Sequence, residues 1–267
     1  MRIVAIGDPH GDLSKVKKIP LKNADLILLT GDLGSVNIAR KMAFENIERE
    51  RKGLPEKEYS PAQKKAGFME PYNSTMELVK YLSKFAPIYT ISGNVESPNY
   101  HTRKISKELG IKLPFLFNDL NAMKNVRVIN NKIANFNGIR IGGLEYFMDT
   151  NWVQDFKPSD YKRKMIKAKK QTEKAKKILK WFNNVDILVC HQPPYGVLDK
   201  VGWKLAPKDW LGKHAGSKAI LNYIKKKQPK YVFCGHIHEA KGMKKIGKTE
   251  VYNLGVAGYK AIEFKNP

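Results

Sequence analysis

The chain has 267 residues and a formal net charge of +24, from 49 Lys and Arg against 25 Asp and Glu. This length allows a full core, and α/β proteins of this size often form one domain, so we expect a single domain over residues 1–267. The sequence has no run of eighteen apolar residues, and its N-terminal stretch MRIVAIGDPHG lacks the basic leader and long apolar segment of an export signal. We therefore expect no membrane span and a cytoplasmic location.

The positive charge permits attraction to polyanions such as nucleic acid. The lysines are spread through the chain, and the densest run, residues 157–181, spaces its apolar residues as an amphipathic helix would. A solvated basic face on a helix around 158–182 explains this run at least as well as a binding surface. The sequence also has no recognisable nucleic-acid-binding module.

Seven short apolar runs predict strands, and helical patterns lie between them. The runs cover residues 2–7, 24–31, 87–93, 139–147, 185–190, 230–235 and 249–255. Because they do not alternate strictly, they are typical of strands covered on both faces in a layered α/β protein. The helical patterns cover residues 36–50, 73–85, 101–109, 158–182 and 217–227, with Ser74 and Ser217 as candidate N-caps. Residues 51–72 are the most loop-like, and a cap or insertion is expected around 36–85.

Side chains that can bind metal ions follow five of the predicted strands. They are Asp8, His10, Asp32, Asn94, His191, His236 and His238. The carboxyl ends of strands in open α/β sheets are where ligands bind, because the loops there converge on one crevice. Each residue alone could be a turn, a cap or a loop histidine, but those explanations would have to coincide at five strand ends. The pattern therefore favours a metal site.

The ordered motifs resemble those of the calcineurin-like metallophosphoesterase superfamily. They are DPH at 8–10, GD at 31–32, GN at 93–94, His191 within CHQPP, and GHIH at 235–238. The segments HQPPYG, GKHAGS and CGHIHEA are similar to a prokaryotic phosphodiesterase-like branch. The resemblance implies a four-layer α/β/β/α sandwich, with two packed sheets flanked by helices. It also implies an enzyme that hydrolyses phosphate mono- or diesters, on a small or nucleotide-like substrate.

The resemblance further implies two divalent metal ions that share Asp32. One ion would be bound by Asp8, His10 and His238, and the other by Asn94, His191 and His236. A bridging hydroxide would attack the ester, with Asp32, Asn94 and His191 as the catalytic set. Two ions bring four positive charges, and two aspartates and a hydroxide remove three, so the centre stays positive toward phosphate. Mixed imidazole and carboxylate ligands suit Mn, Fe, Zn or Ni better than Ca or Mg.

Neighbouring residues allow further predictions. His214 and Ser217 are candidate phosphate contacts, although Ser217 could instead cap the helix that follows it. Asp12 and Glu96 could accept hydrogen bonds from histidine N–H groups, as metal sites usually require. His101 is expected at the surface near a helix start. Cys190 and Cys234 are too few for a disulfide framework and, by strand alternation, should point away from the site and pack in the core.

The chain departs from the superfamily pattern at Val95 and Ser35. Relatives commonly have a histidine at the first position, proposed as general acid or phosphate clamp, and an acidic or amide residue at the second. Three hypotheses remain open: a phosphoesterase of small substrates, a nuclease or nucleic-acid-binding protein, and a non-catalytic scaffold. The complete ligand set argues against the scaffold, whereas Val95 argues for it.

Overall fold

The computed structural model describes residues 1–158, 160–203 and 206–264 of the protein. Its strands are β1 (Arg2–Ile6), β2 (Leu26–Leu29), β3 (Ile88–Thr90), β4 (Val126–Val128), β5 (Lys132–Phe136), β6 (Ile139–Leu144), β7 (Ile187–Cys190), β8 (Tyr231–Cys234), β9 (Gly242–Ile246), β10 (Thr249–Asn253) and β11 (Tyr259–Glu263). Its α-helices are α1 (Leu13–Val16), α2 (Asn37–Arg51), α3 (Pro61–Leu82), α4 (Asn99–Leu109), α5 (Leu116–Ala122), α6 (Thr150–Phe156), α7 (Tyr161–Trp181) and α8 (Lys218–Lys227).

The strands form two mixed sheets. One has the order β11-β1-β2-β3-β4 and the other β5-β6-β7-β8-β10-β9. In the first, β1 to β4 are parallel and β11 is antiparallel to β1. In the second, β6, β7, β8 and β10 are parallel, and β5 and β9 are antiparallel edge strands.

Both faces of the central strands are buried, which explains their unbroken apolar runs. In β1, Ile3 and Ala5 pack between the two sheets, whereas Val4 and Ile6 pack against the helices outside. Helices α1, α3 and α5 cover the first sheet, and α7 and α8 cover the second. The predicted four-layer α/β/β/α sandwich is therefore confirmed.

All seven predicted strands are present, and four more were not predicted. The missed strands are β4, β5, β9 and β11. They lie at or beside sheet edges, where fewer side chains are buried; in β9, for example, no residue is fully buried. Edge strands can remain polar because one side of the ladder faces solvent. Apolar runs alone could not reveal them.

The helix prediction was wrong at the start of α3 and right for α7. Helix α3 begins at Pro61, so the second half of the predicted loop 51–72 is helical and Ser74 lies inside the helix. Ser60 is the N-cap and forms a capping box with Gln63, a signal that the sequence did contain. The predicted helix 158–182 corresponds to α7, which starts at Tyr161; Ser159, within the predicted span, lies outside the described residues.

Helix α2 has no buried residue and packs on α3. These contacts do not show whether the two helices cover the site, and the cap around 36–85 stays a prediction. Within the described residues, no helix is both long enough and apolar enough to cross a membrane.

Substituting Ser60 tests the position of the α3 N-terminus. Ser60→Ala removes the hydroxyl that accepts the Gln63 N–H, and should lower the free energy of unfolding by about 1 kcal/mol in urea titrations. Ser83→Ala at the other end of α3 is the control, because its hydroxyl satisfies no helix N–H group. Equal stabilities for wild type and Ser60→Ala would contradict the capping box.

Candidate metal centre

The turns after the strands place four candidate ligands in a left-handed backbone conformation. Asp8, His10, Asp32 and His236 have φ angles of 22°, 46°, 47° and 65°. Such angles are uncommon outside glycine and turn the chain sharply after a strand. The side chains of these residues consequently lie across the ends of the sheets.

Two glycines in the motifs are required by close packing. A Cβ atom at Gly93 would overlap the Asp32 carboxylate, and one at Gly235 would overlap the Asp8 carboxylate. Neither glycine has a positive φ angle, so the requirement is space for the neighbouring aspartate. The G-N and G-H motifs therefore shape the site as well as contributing ligands.

The first ligand cluster consists of Asp8, His10 and His238. Nε2 of His238 lies 3.2 Å from Oδ2 of Asp8 and 3.3 Å from Nε2 of His10. One potential ligand atom from each residue lies within 4.8 Å of the other two. This cluster coincides with one of the two predicted sets.

The second ligand cluster consists of Asp8, Asp32 and His191, which are all buried. Nε2 of His191 is 3.6 Å from Oδ1 of Asp32 and 2.9 Å from Oδ1 of Asn94. The other oxygen of Asp32 is 3.8 Å from Nε2 of His10, so this carboxylate lies between the two histidines. Asp8 also belongs to both clusters, a sharing that was not predicted.

The His191 ring is oriented by the other sheet. Its Nδ1–H donates to the Thr30 carbonyl oxygen at 2.9 Å, which leaves Nε2 facing Asn94 and Asp32. The Thr30 hydroxyl in turn donates to Oδ1 of Asp8 at 2.7 Å. Buried partners of this kind fix the tautomer of a metal-binding histidine. Thr30 was not identified from the sequence because its neighbours become apparent only when the sheets pack.

The pKa shifts of three ligands reflect their burial and their mutual charges. Burial alone would raise the pKa of Asp8, but the charge of His191 and hydrogen bonds from His238 and the His236 N–H outweigh it and lower that pKa to about 2. Burial lowers the pKa of His10, against the opposing charges of Asp32 and Asp8. Burial also acts to lower the pKa of His191, but the charges of Asp32 and Asp8 prevail and raise it.

These donors fit metal ions. Nε2 of His10 lies 3.3 Å from Nε2 of His238, so a proton or a cation is needed between these two nitrogens. Nε2 of His191 and the Asn94 oxygen are 2.9 Å apart, which requires a proton or a cation where both present lone pairs. The raised pKa of His191 allows a proton to fill that role, and a metal ion would replace it. Carboxylate, amide and imidazole donors together suit divalent transition metals.

His236 is near this centre but belongs to neither cluster. Its ring centroid is 4.9 Å from that of His191 and 5.4 Å from that of Tyr146. Burial lowers the pKa of His236 to about 3, so its imidazole is neutral at physiological pH. Its role as a ligand stays a prediction. No sequence motif identified Tyr146, which also lies edge-on to His191.

The predicted roles of Glu96 and Asp12 were wrong. The Glu96 carboxylate accepts the backbone N–H groups of Asp32 at 3.1 Å, Leu33 at 2.6 Å and Gly93 at 2.7 Å. It therefore joins the turns after β2 and β3, and burial together with the Asp32 charge raises its pKa to about 7. Asp12 caps α1 by accepting the Lys15 N–H.

The two candidate phosphate contacts have other partners. Ser217 is buried, caps α8 and donates its hydroxyl to Oδ2 of Asp149 at 2.5 Å. The alternative prediction, that Ser217 caps the following helix, is therefore confirmed. Because its hydroxyl hydrogen is already donated to Asp149, Ser217 has no hydrogen to donate to a phosphate. Nδ1 of His214 is 2.6 Å from Oδ1 of Asp199, so a phosphate contact by His214 stays a prediction.

Three remaining predictions agree with the structure. Cys190 and Cys234 are buried in the cluster between the second sheet and its helices. His101 is exposed in the first turn of α4, with Nδ1 at 3.2 Å from the Ser97 hydroxyl. None of these residues belongs to the two ligand clusters.

Substituting Gly235 tests the packing around Asp8. Gly235→Ala should displace the Asp8 carboxylate and weaken metal affinity by roughly 10- to 100-fold, the range seen when groups supporting a ligand are changed. Gly67→Ala within α3 is the control, since its new Cβ would meet its nearest neighbour at 3.7 Å. Isothermal titration with Mn²⁺ measures both variants, and unchanged affinity in Gly235→Ala would contradict the geometry.

Comparisons with known proteins identify the fold and the family of the chain. A protein of Methanocaldococcus jannaschii, Uncharacterized protein MJ1162, is 25% identical over 267 residues, which cover 99% of this chain and 93% of the other. UPF0046 protein K07C11.7 of Caenorhabditis elegans is 32% identical over 71 residues, 27% of this chain and 21% of the other. A solved crystal structure matches with a TM-score of 0.61 at 16% identity, covering 98% of this chain and 94% of the other. The sequence model of the calcineurin-like phosphoesterase family matches residues 1–240, and the chain therefore belongs to that family.

Proposed function

We propose that the protein is a metal-dependent phosphoesterase that hydrolyses mono- or diesters of phosphate, on a small or nucleotide-like substrate. The observation that carries this proposal is the position of the Asp32 carboxylate, with one oxygen toward His10 and the other toward His191. A carboxylate whose two oxygens approach histidines of the two different clusters is the arrangement that a shared pair of ions needs. The family of the chain supports the same reaction class.

In this proposal, Asp32 contributes to both metal ions. Asp8, His10 and His238 would hold the first ion, and Asn94, His191 and His236 the second. Two bound divalent ions would supply positive charge toward the phosphate and lower the pKa of a water molecule that attacks it. The mixed donors favour Mn, Fe, Zn or Ni, and manganese is one candidate among these metals.

The residues of the chain then orient and tune this centre. Thr30 holds His191 and Asp8, and Glu96 holds the turns that carry Asp32 and Asn94. The Asn94 amide adds no negative charge, which keeps the centre attractive to phosphate. Val95 can donate no proton through its side chain, so departure of the leaving group depends on the leaving group's own acidity.

The positive charge of the protein does not favour a nuclease over this proposal. Four lysines line a groove between α7 and α8, namely Lys176, Lys180, Lys226 and Lys227. None of the candidate ligands lines that groove, and the helices that form it cover the outer face of the second sheet. This separation supports a solvated basic surface.

Asp32→Ala tests the shared carboxylate. The variant should lose both tightly held ions and fall to background hydrolysis, because one side chain contributes to each site. Elemental analysis of wild type and variant after identical loading and desalting gives the stoichiometry. Asp160→Ala is the matched control, since Asp160 pairs with Lys164 at the start of α7 and belongs to neither cluster. A variant that keeps both ions would contradict the binuclear assignment.

Val95→His tests the missing proton donor. Wild type should hydrolyse p-nitrophenyl diesters, whose leaving groups need little protonation, much faster than alkyl esters. A histidine at position 95 should accelerate alkyl esters more than aryl esters, by at most roughly 100- to 10,000-fold, the usual contribution of a positioned general acid. Asn94→Ala should impair both substrate classes. Steady-state kinetics on both classes decide the point, and equal effects of Val95→His on aryl and alkyl esters would contradict it.

A further inference from the structure

A cleft with an aromatic wall opens beside the candidate metal centre. Its volume is about 920 Å³, within the range of small-molecule sites. The lining residues that matter here are Arg40, Trp152, Phe156, Trp210, His236 and His238. Because two of them are candidate ligands, a group bonded to a phosphate at the metal centre can extend directly into this cleft.

The wall consists of three aromatic side chains in mutual contact. Trp152 and Phe156 lie one turn apart on α6 and stack with centroids 5.6 Å apart and an interplanar angle of 18°. Trp210 stands edge-on to Phe156 at 5.2 Å, and its Nε1–H donates to the Phe156 carbonyl at 3.0 Å. Phe156 is buried, whereas both tryptophans are only half-buried and leave surface open to the cleft.

This wall is not part of the layers that hold the sheets together. Phe156 belongs to a small hydrophobic cluster with Ala215 and Ile237, separate from the three clusters between the sheets and helices. Ile237 lies between His236 and His238 in the chain, so the cluster borders the metal centre. An apolar surface placed here is therefore available for the organic part of an ester.

Arg40 gives the cleft a cation without an acidic partner. No salt bridge or side-chain hydrogen bond of Arg40 occurs within the described part of the chain, and its side chain is exposed on α2. The acidic residue of the cleft, Glu239, is already occupied, since it accepts the N–H groups of Gly202 and Trp203. A guanidinium can bind two phosphate oxygens in parallel, which Val95 cannot do.

We propose that this cleft selects phosphate esters whose organic group is a flat aromatic or heteroaromatic ring, with Arg40 contacting the phosphate and the ring packing against Trp152 and Trp210. The proposal rests on the proposed function, because it takes the phosphate to be bound at the metal centre. It adds the substrate class and the residues that recognise it. Nucleotides and aryl phosphates share the required chemistry.

Binding of four phosphonate analogues tests the proposal without hydrolysis. The non-hydrolysable analogues of AMP, phenyl phosphate, ribose 5-phosphate and butyl phosphate are titrated into manganese-loaded protein and, separately, into metal-free protein. The two aromatic ligands should bind tighter than their aliphatic counterparts by roughly 5- to 150-fold, the range expected for one stacked base. The AMP and phenyl arms distinguish a nucleotide from a simple aryl ester.

Variants locate the two contacts. Trp152→Leu should abolish most of the preference for aromatic ligands. Trp210→Phe should reduce the same preference and serves as a second test if Trp152→Leu folds poorly. Trp181→Leu is the control for the tryptophans, because Trp181 is 81% exposed at the end of α7. Arg40→Gln should weaken all four ligands by a similar factor, whereas Arg51→Gln at the far end of α2 should not.

The outcomes separate this proposal from the proposed function. Equal affinities for aromatic and aliphatic ligands, or a preference that survives both tryptophan variants, would overturn the aromatic site even if the protein hydrolyses esters. An aromatic preference lost with Trp152→Leu supports the site, including in a metal-loaded protein that binds the analogues but does not hydrolyse esters. That second result would refute only the proposed reaction.

Discussion

The hydrogen bond from Nδ1 of His191 to the Thr30 carbonyl joins the two sheets at the candidate metal centre. His191 follows β7 in one sheet and Thr30 follows β2 in the other. The same threonine holds Asp8 through its hydroxyl, so residues from three strand ends depend on one backbone position. The clusters can form only because the sandwich brings both sets of parallel strand ends to the same edge.

This convergence places several carboxyl groups in a buried region. Asp8, Asp32 and Glu96 are all buried, and the raised pKa of Glu96 reflects both desolvation and the charge of Asp32. Burying like charges together is unfavourable unless cations or hydrogen bonds compensate. Backbone N–H groups and His191 provide part of that compensation, and divalent ions would provide the rest. The buried carboxylates therefore need more positive charge than the protein's own side chains supply, and bound metal ions would provide it.

The sequence was most informative where local chemistry and strand position coincide. The unbroken runs of β1 and β2 predicted doubly covered strands because both faces are buried, and the polar residues after them predicted the clusters. The sequence was least informative where a role depends on groups distant in the chain. Glu96 binds amides of two different turns, and Thr30 orients His191 through its backbone carbonyl, which no residue type indicates. The N-terminus of α3 was missed for another reason: its capping signal at Ser60 was present but followed by Gly67 and Pro71 within the helix.

Anomalous X-ray diffraction from crystals of the manganese-loaded protein would locate the bound ions. A shared binuclear centre predicts two anomalous peaks at the ends of β1, β2, β3, β7 and β8, with the Asp32 carboxylate bound to both ions and Thr30 still hydrogen-bonded to His191. A single peak, or two peaks of which one has no contact with Asp32, would contradict it.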